Sequence, residues 1–250
     1  MMNQIRLGRM KAYIEKKNAV TIKELQILFP EVSLMTIHRD LDTLVEEGAV
    51  VKFRGGAKSV VHNGDPEFNV RIGENNSGKF VIAQKAMEFL QPHSSVFLDA
   101  STTNLMLAKS LPDINLNIVT TGPSIALELC RLHNPVVTLC GGTINRKNLA
   151  LFGQNTLEML DKINIDLAFI GVSGCSPDAG FTCGTEGDML VKRLVIQKAR
   201  TSVAMCTHDK LKCLMPYTFA KLSDVDYLIT DTALSESFQK AAMQAGLKII

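Results

Sequence analysis

No stretch of about 18 consecutive apolar residues occurs in the 250-residue chain, which argues against a membrane-spanning helix. The N-terminus is charged and lacks the apolar core of about 7–15 residues that marks a secretory signal. The expectation is a soluble cytoplasmic protein with no membrane partner. The six cysteines, Cys130, Cys140, Cys175, Cys183, Cys206 and Cys213, form no C-x-x-C pair and no close His/Cys cluster. A metal site or a disulfide framework is therefore not expected, nor is a cofactor. Cys130, Cys140 and Cys206 sit in or beside apolar runs, where free thiols are usually buried. Internal repeats and low-complexity tracts are missing as well. A strong charge imbalance is also lacking, since the net charge is +2. Its distribution says more: residues 1–62 hold 10 Lys/Arg against 7 Asp/Glu, and the remainder 17 against 18. The basic excess is N-terminal, which is mild support for a polyanion partner there.

What is present suits a small domain followed by a larger one. Hydrophobic residues make up 46% of the chain, enough for a substantial core, and charged residues 21%. Leu7, Met10 and Ile14 recur at helical spacing, and Thr21-Ile-Lys-Glu24 is a capping box that opens a second helix ended by Pro30. Ser33 is suited to cap a third helix in which Leu34, Ile37, Leu41 and Leu44 form an apolar stripe. Met35, Thr36, His38 and Arg39 lie off that stripe, near the helix start. Such a helix is either an ordinary surface helix or a reader of the DNA major groove. Two preceding helices and a short turn favour the second reading. Gly48 closes this helix, and Ala-Val-Val-Lys-Phe-Arg then alternates towards Gly55-Gly56, as a small wing would. Lys52 and Arg54 share one face of it and are placed to reach phosphates, although lysines also guard solvated strand edges.

Residues 58–78 read as a linker, with turn signals at Asn63-Gly64-Asp65-Pro66 and Asn75-Asn76-Ser77-Gly78. Glu67, Phe68 and Arg71 interrupt it as candidate contacts between domains. A helix is expected from about Lys79 to Leu90. Beyond it, apolar strands at 96–99, 117–120, 136–139, 167–171, 202–205 and 227–230 alternate with helices near 103–111, 123–132, 153–161, 186–199 and 234–245. That alternation predicts a mostly parallel sheet covered on both faces. Ligands of such sheets bind beyond the carboxyl ends of the strands. The loops there read Asp99-Ala-Ser101-Thr102-Thr103, Thr120-Thr121-Gly122-Pro123, Gly141-Gly142-Thr143 and Gly171-Val172-Ser173-Gly174. Each alone is a helix cap or a turn. Together they suggest a site for a phosphorylated small molecule, built on hydroxyls, backbone N–H groups and glycines.

Two groups of motifs carry a resemblance. Val32-Ser33 followed by Thr36-Ile37-His38-Arg39-Asp40-Leu41-Asp42-Thr43-Leu44, then Gly48 and Arg54-Gly55-Gly56-Ala57, resembles the winged helix-turn-helix of the DeoR family of bacterial transcription regulators. Strand-Asp99-x-x-Thr102-Thr103, Gly141-Gly142-Thr143, Phe169-Ile-Gly-Val-Ser-Gly174, Val191-Lys192-Arg193 and Asp209-Lys210 resemble the family's effector domain. The resemblance implies a fold similar to ribose-phosphate isomerases and CoA transferases, and sensing of sugar phosphates or related metabolites. It also implies effector contacts at Asp99, Thr102, Thr103, Gly141, Gly142 and Lys210; the latter is otherwise readable as a surface lysine. The chain departs from the family at His38, where an arginine is usual, at Ala100-Ser101 for Ser-Gly, at Thr120-Thr121 for Asn-Ser, and at Thr207 for Asp.

The expectation is thus an α/β protein: a winged helix-turn-helix over 1–57, a linker over 58–78, and an α/β effector-sensing domain over 79–250. It would act as a DNA-binding transcription regulator, a repressor of carbohydrate or related metabolic genes, and would bind a double-stranded operator as a homo-oligomer. Ser33, Met35, Thr36, His38, Arg39, Lys52 and Arg54 are the expected DNA contacts. Asp99, Ser101, Thr102, Thr103, Thr121, Gly141, Gly142 and Lys210 are the expected effector contacts. The rival reading is a sugar-phosphate isomerase-like enzyme, against which stands the lack of a convincing base paired with a second acid.

Overall fold

The computed structural model describes residues 2–17, 19–53, 55–59, 67–211 and 213–250, without the side chains of 2, 3 and 16. The N-terminal unit comprises α1 (Met2–Lys17), β1 (Ala19–Thr21), α2 (Ile22–Leu28), α3 (Leu34–Glu46), β2 (Val50–Phe53) and β3 (Gly56–Ser59). Thr21 caps α2 in both directions: its Oγ1 accepts from Glu24 N at 3.2 Å, and its N–H donates to Glu24 Oε2 at 2.8 Å. Ser33 Oγ accepts from Thr36 N at 3.2 Å and starts α3, so both expected caps form. Ile37, Leu41 and Leu44 of α3 are buried against Met10, Ile14, Val20, Leu25 and Phe29. Leu34 does not join them. It is 46% exposed, so the expected stripe begins one turn later, at Ile37. Asp40, on the buried side of α3, is held there by Arg6, whose Nε lies 2.5 Å from Asp40 Oδ2. This pair joins α1 to α3 through charge where the apolar pattern is interrupted.

Gly48 takes φ 69°, and Ala49 N donates to Leu44 O at 2.9 Å, which ends α3 in the left-handed turn expected of it. The wing that follows is a three-stranded antiparallel sheet ordered β1-β3-β2, its third member being a strand too short to show in the sequence pattern. A Cβ on Gly56 would lie 2.1 Å from Val20 O, so close approach of β1 and β3 requires glycine there.

Residues 58 and 59, expected in the linker, belong to β3, and 60–66 lie outside the described residues. The rest of that segment is helical: α4 (Phe68–Gly73) precedes α5 (Asn76–Met87), which starts three residues before Lys79 because Asn75 caps it. The larger unit continues through β4 (Ser95–Leu98), α6 (Thr102–Ser110), β5 (Asn117–Thr120), α7 (Pro123–Leu129), β6 (Val136–Leu139), β7 (Thr143–Ile144), β8 (Leu151–Phe152) and α8 (Gln154–Asp161). It then runs through β9 (Ile165–Gly171), β10 (Gly174–Ser176), β11 (Gly180–Cys183), α9 (Glu186–Lys198), β12 (Ala199–Cys206), β13 (Tyr217–Ala220), β14 (Tyr227–Thr230), α10 (Glu236–Ala245) and β15 (Lys248–Ile249).

Seven strands form one parallel sheet in the order β15-β14-β12-β9-β4-β5-β6. Alternate residues of β9 sort into two cores: Leu167 and Phe169 pack with α5, α6 and α7, and Ala168 and Ile170 with α8, α9 and α10. Sandwiching by helices explains why the strands read as continuous apolar runs. The order runs outward in opposite directions from the β4/β9 boundary, so a crevice opens beyond their carboxyl ends. The small antiparallel sheet β10-β11-β13 is an addition that the sequence pattern did not reveal.

Candidate nucleic-acid interface and ligand pocket

The first turns of α3 present the expected reading set. Met35 is 78% exposed, Ser33 and Arg39 are exposed, and Thr36 and His38 are half-buried. Thr36 Oγ1 lies 3.0 Å from Ser33 Oγ, so both side chains are partly spent on the cap. Lys52 is paired with Asp42 of α3 at 2.7 Å rather than standing alone. The pair is exposed and worth about 1 kcal/mol or less, so a DNA phosphate can compete for the ammonium. Arg54 lies outside the described residues.

The crevice at the β4/β9 boundary holds a pocket whose floor is a buried charge cluster. Asp99, 2% exposed at the end of β4, accepts from Ser101 N at 2.9 Å and Asn104 Nδ2 at 2.8 Å through Oδ1. Its Oδ2 accepts from Gly171 N at 2.9 Å and lies 3.3 Å from Lys192 Nζ. Lys192, on α9, also reaches Asp188 Oδ2 at 3.0 Å and donates to Gly171 O at 2.8 Å. Burial alone would lower the pKa of Lys192, but the charges of Asp188 and Asp99 outweigh it and hold the pKa above the ordinary lysine value. Asp99 lines the pocket as expected, yet its oxygens are engaged within the protein. It ties the loops after β4 and β9 together. Gly171 permits this, since a Cβ there would lie 2.2 Å from Ser101 Cβ.

Above this floor the pocket is cationic. Ser101 caps α6, its Oγ accepting from Asn104 N at 3.1 Å, and the helix start with Thr102 and Thr103 faces the cavity with N–H groups that the helix cannot satisfy. Lys210 closes one side, 3.5 Å from Asp209 Oδ2. Burial would raise the Asp209 pKa, but Lys210, Thr207, Asn75 and Lys58 together hold it below the ordinary carboxylate range. Lys79 and Arg71 line the same pocket. Lys79 is 6% exposed and donates to Arg71 O and to Glu74 O, the latter at 2.6 Å. Burial, then the neighbouring Lys210, lower its pKa to about 8. Arg71 is 9% exposed, and its Nε is buried with no hydrogen-bond partner. Its guanidinium carbon stands 5.9 Å from the centre of the Phe68 ring, and no carboxylate among the described residues pairs with it. A buried, unpaired guanidinium is costly unless an anion completes it.

Of the expected effector residues, Asp99, Ser101, Thr102, Thr103 and Lys210 thus converge on one pocket. Thr121, Gly141 and Gly142 do not line it, and their chemistry is used locally. A Cβ on Gly142 would lie 2.1 Å from Thr156 Oγ1, which itself donates to Gly141 O at 2.6 Å. Thr121 is 2% exposed, and its carbonyl accepts from Leu151 N at 2.9 Å. Arg71 and Lys79 also line the pocket and were not expected there: Arg71 fell in the segment read as a linker, as a candidate contact between domains, and Lys79 marked the start of the next helix. The available signal was Phe68 and Arg71, an aromatic and a cation at helical spacing within that polar segment. Phe68 N donates to Lys147 O at 2.8 Å, which docks α4 on the loop carrying Asn148 and Ala150 at the pocket rim.

The two parts of the chain have counterparts in known proteins. Residues 6–62 match the DeoR-like helix-turn-helix domain, and residues 74–232 match the DeoR C terminal sensor domain. The chain is 30% identical over 251 residues to the HTH-type transcriptional repressor GlcR of Bacillus subtilis, covering 100% of this chain and 96% of that protein. It is 33% identical over 241 residues to the HTH-type transcriptional regulator YgbI of Escherichia coli K12, covering 95% and 93%. Among solved structures, ribose 5-phosphate isomerase A from Methanocaldococcus jannaschii aligns over 55% of each chain with 15% identity and a TM-score of 0.41. Both regions are matched in order and the relatives are covered nearly end to end: the chain belongs to the DeoR family of HTH-type transcriptional regulators.

Proposed function

We propose that this regulator represses carbohydrate or related metabolic genes and is controlled by a phosphorylated small molecule, a sugar phosphate or a close relative, bound in the β4/β9 pocket. The observation that carries the reading is the convergence of Arg71, Lys79 and Lys210 on the start of α6, with the Arg71 Nε buried and unpartnered. A dianionic phosphate supplies what that group lacks. The hydroxyls of Ser101, Thr102, Ser173 and Thr207 around it suit a polyhydroxylated ligand. One helix reads too little sequence for specific binding, so the chain acts on paired half-sites as a homo-oligomer, in the cytoplasm. Ser33, Met35, Thr36, His38 and Arg39 face the operator, with Lys52 and Arg54 at its phosphates.

Binding without turnover is favoured by the state of the carboxylates. Asp99 and Asp188 are tied to Lys192, and Asp209 to Lys210 and Asn75, so that of the carboxylates lining the pocket the one outside these pairs is Glu74, which is exposed to solvent. The test is a thermal-shift screen of the full chain against phosphorylated sugars and polyols, followed by titration of the best ligand. Lys210→Ala should lose the shift and keep operator binding. An unchanged response in that variant would remove Lys210 from the site, and turnover of the ligand would restore the isomerase-like reading.

A further inference from the structure

The wing and the pocket are joined by one side chain. Lys58 lies on β3 opposite Ala19 and Val51, whereas Lys52 lies opposite Ala57, which is fully buried in the helix-turn-helix core. Because successive residues of a strand face opposite ways, Lys58 leaves the wing on the side away from that core. Its Nζ donates to Asp209 O at 3.0 Å and lies 3.8 Å from Asp209 Oδ2. Asp209 is therefore shared: Lys58 of the wing on one side, Lys210 of the pocket at 3.5 Å and Asn75 Nδ2 at 3.0 Å on the other.

We propose that Lys58 is the contact through which the wing reads occupancy of the pocket, by way of the shared Asp209. The proposal rests on the phosphate reading given above. A phosphate dianion drawn to Lys210 competes with Asp209 for that ammonium and adds negative charge behind the carboxylate. Both effects make the surroundings of Lys58 more negative, so the wing is held more firmly on the larger domain. Linkage makes the coupling reciprocal: a docked wing raises anion affinity by the same factor. Clamping also fixes the direction of α3 relative to the sensor domain, and thus the separation of two reading helices in an oligomer. Half-site spacing depends on that separation, so occupancy shifts the population away from the arrangements an operator accepts.

Amide hydrogen exchange on the full chain tests this, with inorganic phosphate as the probe and chloride at matched ionic strength as the control. In the unmodified chain, phosphate should slow exchange at residues 101–104 and at residues 50–53 and 56–59. Lys58→Met should keep the first effect, lose the second, and bind phosphate about fivefold more weakly, the low end of usual coupling between sites. Lys58→Arg should restore both. Protection at 101–104 with no change in the wing, or wing protection that survives in Lys58→Met, would overturn the coupling and leave the pocket standing. No protection at 101–104 would overturn the pocket reading, and the coupling with it.

Discussion

Replacing Lys192 with Met tests whether Asp99 is scaffold or ligand. Lys192 is 3% exposed and is the cation between Asp99, at 3.3 Å, and Asp188, at 3.0 Å. Methionine matches the length of the side chain but leaves two carboxylates facing a pocket floor with no counter-charge. Removing one partner of a buried charge cluster typically costs about 3–5 kcal/mol. For a domain of this size each kcal/mol lowers Tm by about 2–4 °C, so the sensor-domain transition should fall by about 6–20 °C. Scanning calorimetry of the full chain resolves it. Asp188→Asn added to Lys192→Met should recover part of the loss, because one of the two stranded charges is gone. The folded pKa of Lys192 is raised, so its contribution is complete below the ordinary lysine value of 10.5 and is lost only as pH rises through the higher folded value. The destabilisation should therefore be flat between pH 6 and 9. A loss under about 1 kcal/mol, the size expected of a surface ion pair, would refute the buried-cluster account and return Asp99 to the list of groups open to ligand.

Arg71→Met should move stability and binding in opposite directions. The unliganded protein gains up to about 1–3 kcal/mol by losing a buried unsatisfied donor, while ligand affinity falls at least about thirtyfold, as measured by titration calorimetry. Arg39→Ala should abolish operator binding in a gel shift and leave Tm unchanged, since the residue is exposed and off the apolar side of α3. Phosphate affinity should decline as pH rises through about 8, where Lys79 loses its proton in the free protein. The stability term from Lys79 has the opposite slope. Its folded pKa is depressed, the unfolded chain binds more protons between about 8 and 10.5, and unliganded stability should rise across that window in denaturant titrations.

Much of this layout was legible in the sequence, for reasons that differ by region. The parallel strands showed because both faces are buried, as the two cores on either side of β9 illustrate. The caps of α2 and α3 showed because they depend on residues three apart in sequence. What stayed hidden depends on contacts between distant segments. Leu34 has the spacing of a core residue and only the tertiary packing leaves it exposed. The paired glycines 141 and 142 look made for a ligand, yet their closeness is to Thr156. Arg71 sits in a segment rich in turn residues and Lys79 in the first turn of α5, and nothing local says that α4 docks on the loop before β8, so that both cations line the same pocket as the start of α6.

The charges of the pocket divide into two groups with different work. Asp99 and Asp188 share the ammonium of Lys192 around backbone groups of β9, so their pairing is complete without an anionic ligand. Arg71, Lys79, Lys210 and Asp209 are not balanced in this way. Three cations share the space with Asp209 and the exposed Glu74, and the penalty shows twice: as a lysine pKa lowered to about 8 by burial and then by Lys210, and as a guanidinium nitrogen buried without a partner. Both penalties are relieved by the same event, the arrival of an anion. The pocket therefore stores a preference for ligand in groups that cost the empty protein stability. Asp209 is the carboxylate beside these cations that the wing's Lys58 also reaches. A site built to turn a substrate over would need a base held in place within this cluster, whereas Glu74, the carboxylate outside the ion pairs, is exposed to solvent. A site built to signal needs the shared carboxylate instead.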